Sequence, residues 1–478
     1  MNINVSSIHR ASLTYILLPI LIFLGGWLKW YIATPLIILC VASYLIIIKR
    51  KNAQSLDINT DKQLHIKPVT LIIILFILGV WVMTSGIGGF MWQNKDHLWR
   101  NAIFTTLIDY NWPVYGKDYS LCYYIGFWLP AAIVGKLCHS LFAANIFLFL
   151  WTWAGLIIFY LQICLYLQKT GIKILLLIIF FSGIDIIGYS TNIIKHHSIT
   201  DYFNLLKDFP HIEWSHGSFQ ASYITTQLFW VFNQALPFWI GMMLLISKNN
   251  MKNMLFIFAC LMLYSPFPAV GILPVLIYLK LNEWKESGLK QGLQSLLGVE
   301  NLTAILVLAV ISTYFTSNIA SGKSTFMPPS ARYLFFILTQ YLVYIIFILK
   351  ENYKDPVLII LFITALIFPL YRMGDGADFR MRTNIPFIIY TMLLFIRFLL
   401  YSKATKSLRI LAILVFVTGS ITPAFEIMRS VRNAILCHQT HTSVMQSLTS
   451  HDSIFDDGLI GINFIGNKES FFFKYLAK

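Results

Sequence analysis

The chain is expected to fold as an all-α, polytopic transmembrane helical bundle of about 11–13 spans with polar extracytoplasmic loops. Three observations carry that expectation. Of its 478 residues 57% are hydrophobic and only 12% charged, roughly half the charge that a water-soluble domain carries. Mean hydropathy is +0.69. Apolar runs close to the ~20 residues that a helix needs to cross a bilayer recur along the whole chain.

In order, those runs lie at 13–31, 32–48, 69–87, 142–167, 173–189, 223–246, 302–317, 331–349, 356–370, 385–401 and 408–424. Two further stretches are open to either reading. Residues 119–138 are apolar but carry Pro130 and Lys136, and 253–282 is split by Ser265-Pro266-Phe267-Pro268, which implies two half-helices meeting at a break. The formal charge of +15 is explained by topology rather than by nucleic acid. Basic residues concentrate in the gaps between spans, as in Lys49–Lys67, Lys169–Lys173, Lys248–Lys252, Lys280–Lys290, Lys350–Lys354 and Lys403–Arg409, which the positive-inside rule places in the cytoplasm. If 119–138 re-enters and 253–282 closes as a hairpin, all these gaps fall on one side. The gaps 88–118, 190–222, 318–330, 371–384 and the tail from about 425 then face outward. Residues 1–424 therefore read as one transmembrane domain, and 425–478 as a small extracytoplasmic segment whose aromatic end, Phe471 to Tyr475, would pack back on it.

The six cysteines, Cys40, Cys122, Cys138, Cys164, Cys260 and Cys437, show no CxxC or ligand spacing, which supports neither a disulfide framework nor a zinc site. Walker, GxSxG, HExxH and GxGxxG patterns are absent, which lowers ATP-driven pumping, serine hydrolysis, zinc proteolysis and dinucleotide chemistry.

Three outer gaps hold the residues suited to chemistry. The first places Lys95, Asp96, His97, Arg100 and Asn101 just beyond a span. Asp96 is the candidate base, because a carboxylate can take a proton while cations balance phosphate charge. Asp109 lies thirteen residues on, in a packing role. The second gap holds Lys195, His196, His197, Asp201, Asp208, His211, Glu213 and His216. His211, Glu213 and His216 lack the i, i+4 spacing of a helical metal site, so substrate contact is the preferred reading and no metal ligand is assigned. Asn233 and Gln234, inside an apolar run, read as interhelical glue. The third gap, YRMGDGADFRMRTNIP, gathers Arg372, Asp375, Asp378, Arg380 and Arg382 with Gly374 and Gly376. Arginines hold phosphate in bidentate geometry and glycines let backbone amides approach the same anion; internal Arg–Asp pairing is the competing reading.

In layout the chain resembles the GT-C superfamily of polytopic membrane glycosyltransferases. An acidic residue sits in the first large outer loop (Asp96 in QNKDHLWRN), an aromatic–proline helix follows (YYIGFWLPAAIVGKL), and polar loops come late in the membrane part. The paired-acid form of the first-loop motif is missing, since Lys95 and His97 flank Asp96. The resemblance implies sugar transfer from a polyprenyl-phosphate donor to a glycan, lipid or protein acceptor. Asp96 would act on the acceptor, and Arg372, Arg380 and Arg382 would hold the lipid phosphate. No organic cofactor is implied, a divalent metal is allowed, and a bacterial cytoplasmic membrane with the active site on its outer face is the implied setting. Polysaccharide polymerases or ligases, and transporters or flippases, are the alternatives; the split at Ser265–Pro268 and the lone acid Asp185 favour the last.

Overall fold

The computed structural model describes residues 2–54, 63–116, 119–196, 205–247, 252–288, 290, 292, 296–320, 322, 324–373, 377–436 and 461–478. Among these the chain is an all-α helical bundle with only three two-stranded ribbons. Among the described residues seven helices are long and apolar enough to cross a membrane.

The first half comprises α1 (Val5–Trp27), α2 (Trp30–Gln54), α3 (Pro68–Thr84), α4 (His97–Asp109), α5 (Leu129–Cys138), α6 (Leu141–Leu167), α7 (Ile172–Ile179) and α8 (Asp185–His196). The second comprises α9 (Ile224–Leu245), α10 (Met254–Met262), α11 (Pro266–Ser287), α12 (Val299–Phe315), α13 (Ala331–Asn352, with a π turn at Leu338–Leu342) and α14 (Pro356–Ile367). It ends with α15 (Asp378–Arg382), α16 (Ile385–Tyr401), α17 (Lys406–Gly419) and α18 (Ile421–Leu436). Proline opens α3, α11 and α14, where its missing N–H costs nothing. Asp355 caps α14 by accepting from the Val357 N–H at 3.0 Å. In α9 nearly every residue is buried, so this helix is the axis of the bundle, whereas much of α2 and α17 exposes apolar side chains suited to lipid.

Two sets of loops mark the two ends. At one, Asn2–Asn4 pairs antiparallel with Gln63–His65, Arg50 binds Glu300 at 2.7 Å and Asn253 at 3.0 Å, and the Tyr401 hydroxyl donates to the Leu167 carbonyl at 2.8 Å. These contacts bring together segments in or next to four of the six basic gaps. At the other, β3 (Tyr119–Leu121) pairs with β6 (Ile465–Asn467), and β4 (Ser324–Phe326) with β5 (Tyr371–Met373).

The two open stretches are now defined. Residues 119–138 do not form one span: a strand is followed by a ten-residue helix, about 15 Å long. Residues 253–282 break at Ser265-Pro266 into α10 and α11, with the Ser265 hydroxyl accepting from the Phe267 N–H at 3.4 Å. The run 173–189 is also broken, between α7 and α8, where Gly183 lies so close to Gln340 that a Cβ would sit 1.8 Å from its Oε1. Helix α18 runs through position 425. Phe472 and Phe473 are buried against the bundle, and the Lys478 N–H donates to the Trp27 carbonyl at 3.0 Å.

Candidate functional site

Two short helices at the β3–β6 end present the same motif, aspartate followed four residues later by arginine. Asp96 precedes α4 and meets Arg100 at 3.3 Å; Asp378 opens α15 and meets Arg382 at 2.7 Å. One helical turn puts such a pair on one face. In both, the acid faces solvent and the base is buried: the carboxylate side chains are 40% and 53% exposed, the guanidinium side chains 8% and 6%. Arg100 feels Arg382 and Asp378 as well as Asp96 and Tyr123, and Arg382 reaches Gln234 of α9, the helix whose Phe232 lies under Arg100, so the two pairs stand side by side at one candidate cleft. Burial holds the Arg100 guanidinium below its ordinary value and Arg382 adds to that, while Asp96 and Tyr123 work the other way. It stays cationic at any physiological pH.

The helices behind these pairs are fixed by the sequence around them. Arg100 lies over the Phe232 ring of α9 at 5.7 Å, and His97 stacks on the same ring at 5.7 Å. Burial first and the Arg100 charge second push His97 down to about 3, so its ring is neutral, with Nε2 buried and without a partner. Arg382 donates to Gln234 Oε1 at 3.0 Å, and the Ser265 hydroxyl donates to that oxygen at 2.8 Å, so the α10–α11 break and the amide of α9 meet beneath the cleft. Buried N–H groups are left over: among the described residues Arg100 Nη1, Arg382 Nε and Gln234 Nε2 have no hydrogen-bond partner. Unpaired buried donors on two cations suit an anion.

The other sequence-predicted residues lie elsewhere. The Lys95 ammonium sits over the Trp214 ring at 4.8 Å, on the rim next to Asp96. Arg380 turns away from the cleft, donating to the Ser218 carbonyl at 2.8 Å, the Tyr371 carbonyl at 3.3 Å and Met327 Sδ at 2.5 Å, with its guanidinium over Phe219. Arg372 belongs to the β4–β5 ribbon, opposite Thr325. Asp375 and its flanking glycines are outside the described residues. His211 is bound to Glu426 at 2.7 Å. His216 Nδ1 meets the Ser215 hydroxyl and Nε2 the Thr339 hydroxyl, both at 2.9 Å. Glu213 accepts from Ser222 at 2.7 Å and Gln220 at 3.2 Å. These three side chains therefore face three different sets of partners. Among the described residues no three His, Cys, Asp or Glu side chains gather as metal ligands.

Three contributors were not assigned to this site from the sequence: Tyr123, Gln234 and Ser265. Each carried a visible signal, namely a Tyr-Tyr pair before the Pro130 helix, an amide inside an apolar run and a Ser-Pro break, but each signal also has a packing explanation. No family model, no curated protein and no solved structure matches the chain.

Proposed function

We propose that this chain is a membrane glycosyltransferase that moves a sugar from a polyprenyl-phosphate donor to a glycan, lipid or protein acceptor. The cleft of Asp96, Arg100, Asp378 and Arg382 would face the outer side of a bacterial cytoplasmic membrane. The observation carrying this reading is the pairing of solvent-facing carboxylates with buried guanidinium groups that still have unbound N–H donors, at one end of an apolar bundle. The acceptor hydroxyl oxygen attacks the anomeric carbon, the bond from that carbon to the phosphate oxygen breaks, and the electron pair leaves with the phosphate. Asp96 takes the hydroxyl proton. Arg100 and Arg382 meet the charge that grows on the departing phosphate, where a dry setting makes them effective. The leaving group is already a stable anion, so no nucleotide is needed. The test is transfer of labelled sugar from a polyprenyl-phosphate sugar in membranes holding Asp96→Asn, which should be inactive at normal abundance.

A transport reading draws on Asp185. This buried acid sits at the break between α7 and α8, receiving hydrogen bonds from Gln340 at 2.8 Å and Thr422 at 3.0 Å. A transporter would lose lipid or ion translocation in Asp185→Asn and keep it in Asp96→Asn; a transferase would show the reverse dependence for sugar transfer.

A further inference from the structure

Tyr123 lies beside the Asp–Arg pairs: its ring stands 6.5 Å from that of Trp128, which meets Phe232, the ring under Arg100, at 6.1 Å. Its phenol lies in the field of both ion pairs, Arg382 and Arg100 first, then Asp378 and Asp96. The side chain is half-buried. Its ring tilts against Tyr124 at 4.4 Å and meets Phe464 edge-on at 4.8 Å. Among the described residues its hydroxyl makes no hydrogen bond.

The backbone of this residue is unusually well held. The Tyr123 N–H donates to the Tyr314 hydroxyl at 3.0 Å, and that hydroxyl donates to the Tyr123 carbonyl at 3.2 Å. The preceding Cys122 N–H donates to the Phe464 carbonyl at 2.9 Å, and β3 continues the pairing with β6. Asn318 bridges the same strands, donating to the Cys122 carbonyl at 2.9 Å and the Asn463 carbonyl at 3.0 Å. Phe464 also stacks on Trp99, on the helix that carries Arg100. The tail of the chain thus grips both the loop of Tyr123 and the helix of one arginine.

We propose that Tyr123 contacts the substrate, its hydroxyl donating a hydrogen bond to a phosphate oxygen of the lipid-linked group, and that the C-terminal strand holds it in place. This rests on the phosphate-lipid reading of the cleft. Two cations with leftover N–H groups and one nearby hydroxyl offer several donors, which is what a tetrahedral phosphate with several acceptor oxygens requires. Burial pushes the phenol up, so the hydroxyl keeps its proton at neutral pH and works as a donor rather than a base.

The experiment titrates a polyprenyl monophosphate against the purified full chain in lipid nanodiscs. Tyr123→Phe removes one oxygen and keeps the ring contacts. It should weaken binding by about 10- to 100-fold, the loss expected of a hydrogen bond to a charged group, with an unchanged melting temperature. Phe464→Leu should weaken binding by a smaller factor, because Tyr123 loses its lateral support. Unchanged affinity in Tyr123→Phe, while Arg382→Gln binds poorly, would overturn the role of Tyr123 and leave the phosphate site standing. Unchanged affinity in Phe464→Leu would remove the strand from the proposal. A wild-type chain that fails to bind the lipid phosphate would overturn both this proposal and the reading on which it rests.

Discussion

Two ionic clusters lie at the same end of the bundle, and they are built oppositely. In the cleft, the acids Asp96 and Asp378 face solvent and the bases Arg100 and Arg382 are buried, with N–H groups unpaired among the described residues. Around α18 the acid is the buried member. Glu426 is 2% exposed and receives hydrogen bonds from His211 at 2.7 Å, Trp230 at 2.8 Å and Arg429. Its charge is fully spoken for inside the protein, and His211, Trp214 and Trp230 pack around one another with ring centroids 4.7–6.3 Å apart. The contrast separates a cluster whose buried acid is satisfied from within the protein from one whose buried bases keep N–H groups without a partner among the described residues. Satisfied buried charge needs no further partner, whereas unsatisfied buried charge calls for an explanation, which the proposed function supplies as a substrate anion.

The comparison breaks first on Asp96. Asp96→Asn should cut sugar transfer by roughly 10²- to 10⁴-fold, the usual range for a lost general base, and leave the melting temperature nearly unchanged because its ion pair is solvent-exposed. Retained activity in membranes removes Asp96 from the chemistry. In the other cluster Glu426→Gln should destabilise the fold by about 3–5 kcal/mol, since it leaves a buried arginine unpaired. Reduced abundance and a lower melting temperature are the measurements, and a normal melt would mean that this cluster is not scaffolding. The arginines of α15 sharpen the contrast. Arg382→Gln should weaken binding of a lipid phosphate by about 10-fold or more, whereas Arg380→Gln should cost about 1–3 kcal/mol of stability and leave that affinity alone. Equal donor affinities in the two variants would dissolve the distinction between them.

The smallest effect is on pH. Burial pushes the Glu213 carboxyl up to about 7, with Asp185 adding to the rise. A folded-state value above the unfolded one stabilises fully below about 4.5 and fades as pH rises through about 7. His216 works in the opposite sense, because burial lowers it to about 4: its contribution is present above about 6.5 and is lost as pH falls toward 4. Of these two, only the loss of the Glu213 contribution continues above about 6.5. Melting temperature should fall between about pH 6.5 and 8, and Glu213→Gln should flatten that slope; an unchanged slope would assign it to another group.

The membrane-like character of the chain was legible because hydropathy is a local sum over a run of residues, and neighbours do not alter it. The breaks at Ser265-Pro266 and the identity of Asp96, Arg100, Asp378 and Arg382 as candidates were legible too, since proline geometry and charge in an apolar chain are properties of single residues. The assignment of Arg380 to the cleft was not, because α15 turns about 200° between residues 380 and 382 and sends neighbouring arginines to different surroundings. Tyr123 was equally hidden: its place depends on a strand pairing with residues more than 300 positions away.

Composition and the spacing of apolar runs were enough to determine an all-α chain with several helices long and apolar enough to cross a membrane, since the solvent around each run dictates its residues. Which charges meet was decided only in three dimensions. Burial, pairing and the leftover N–H groups of Arg100 and Arg382 depend on helices distant in sequence, and no local pattern records how those helices pack.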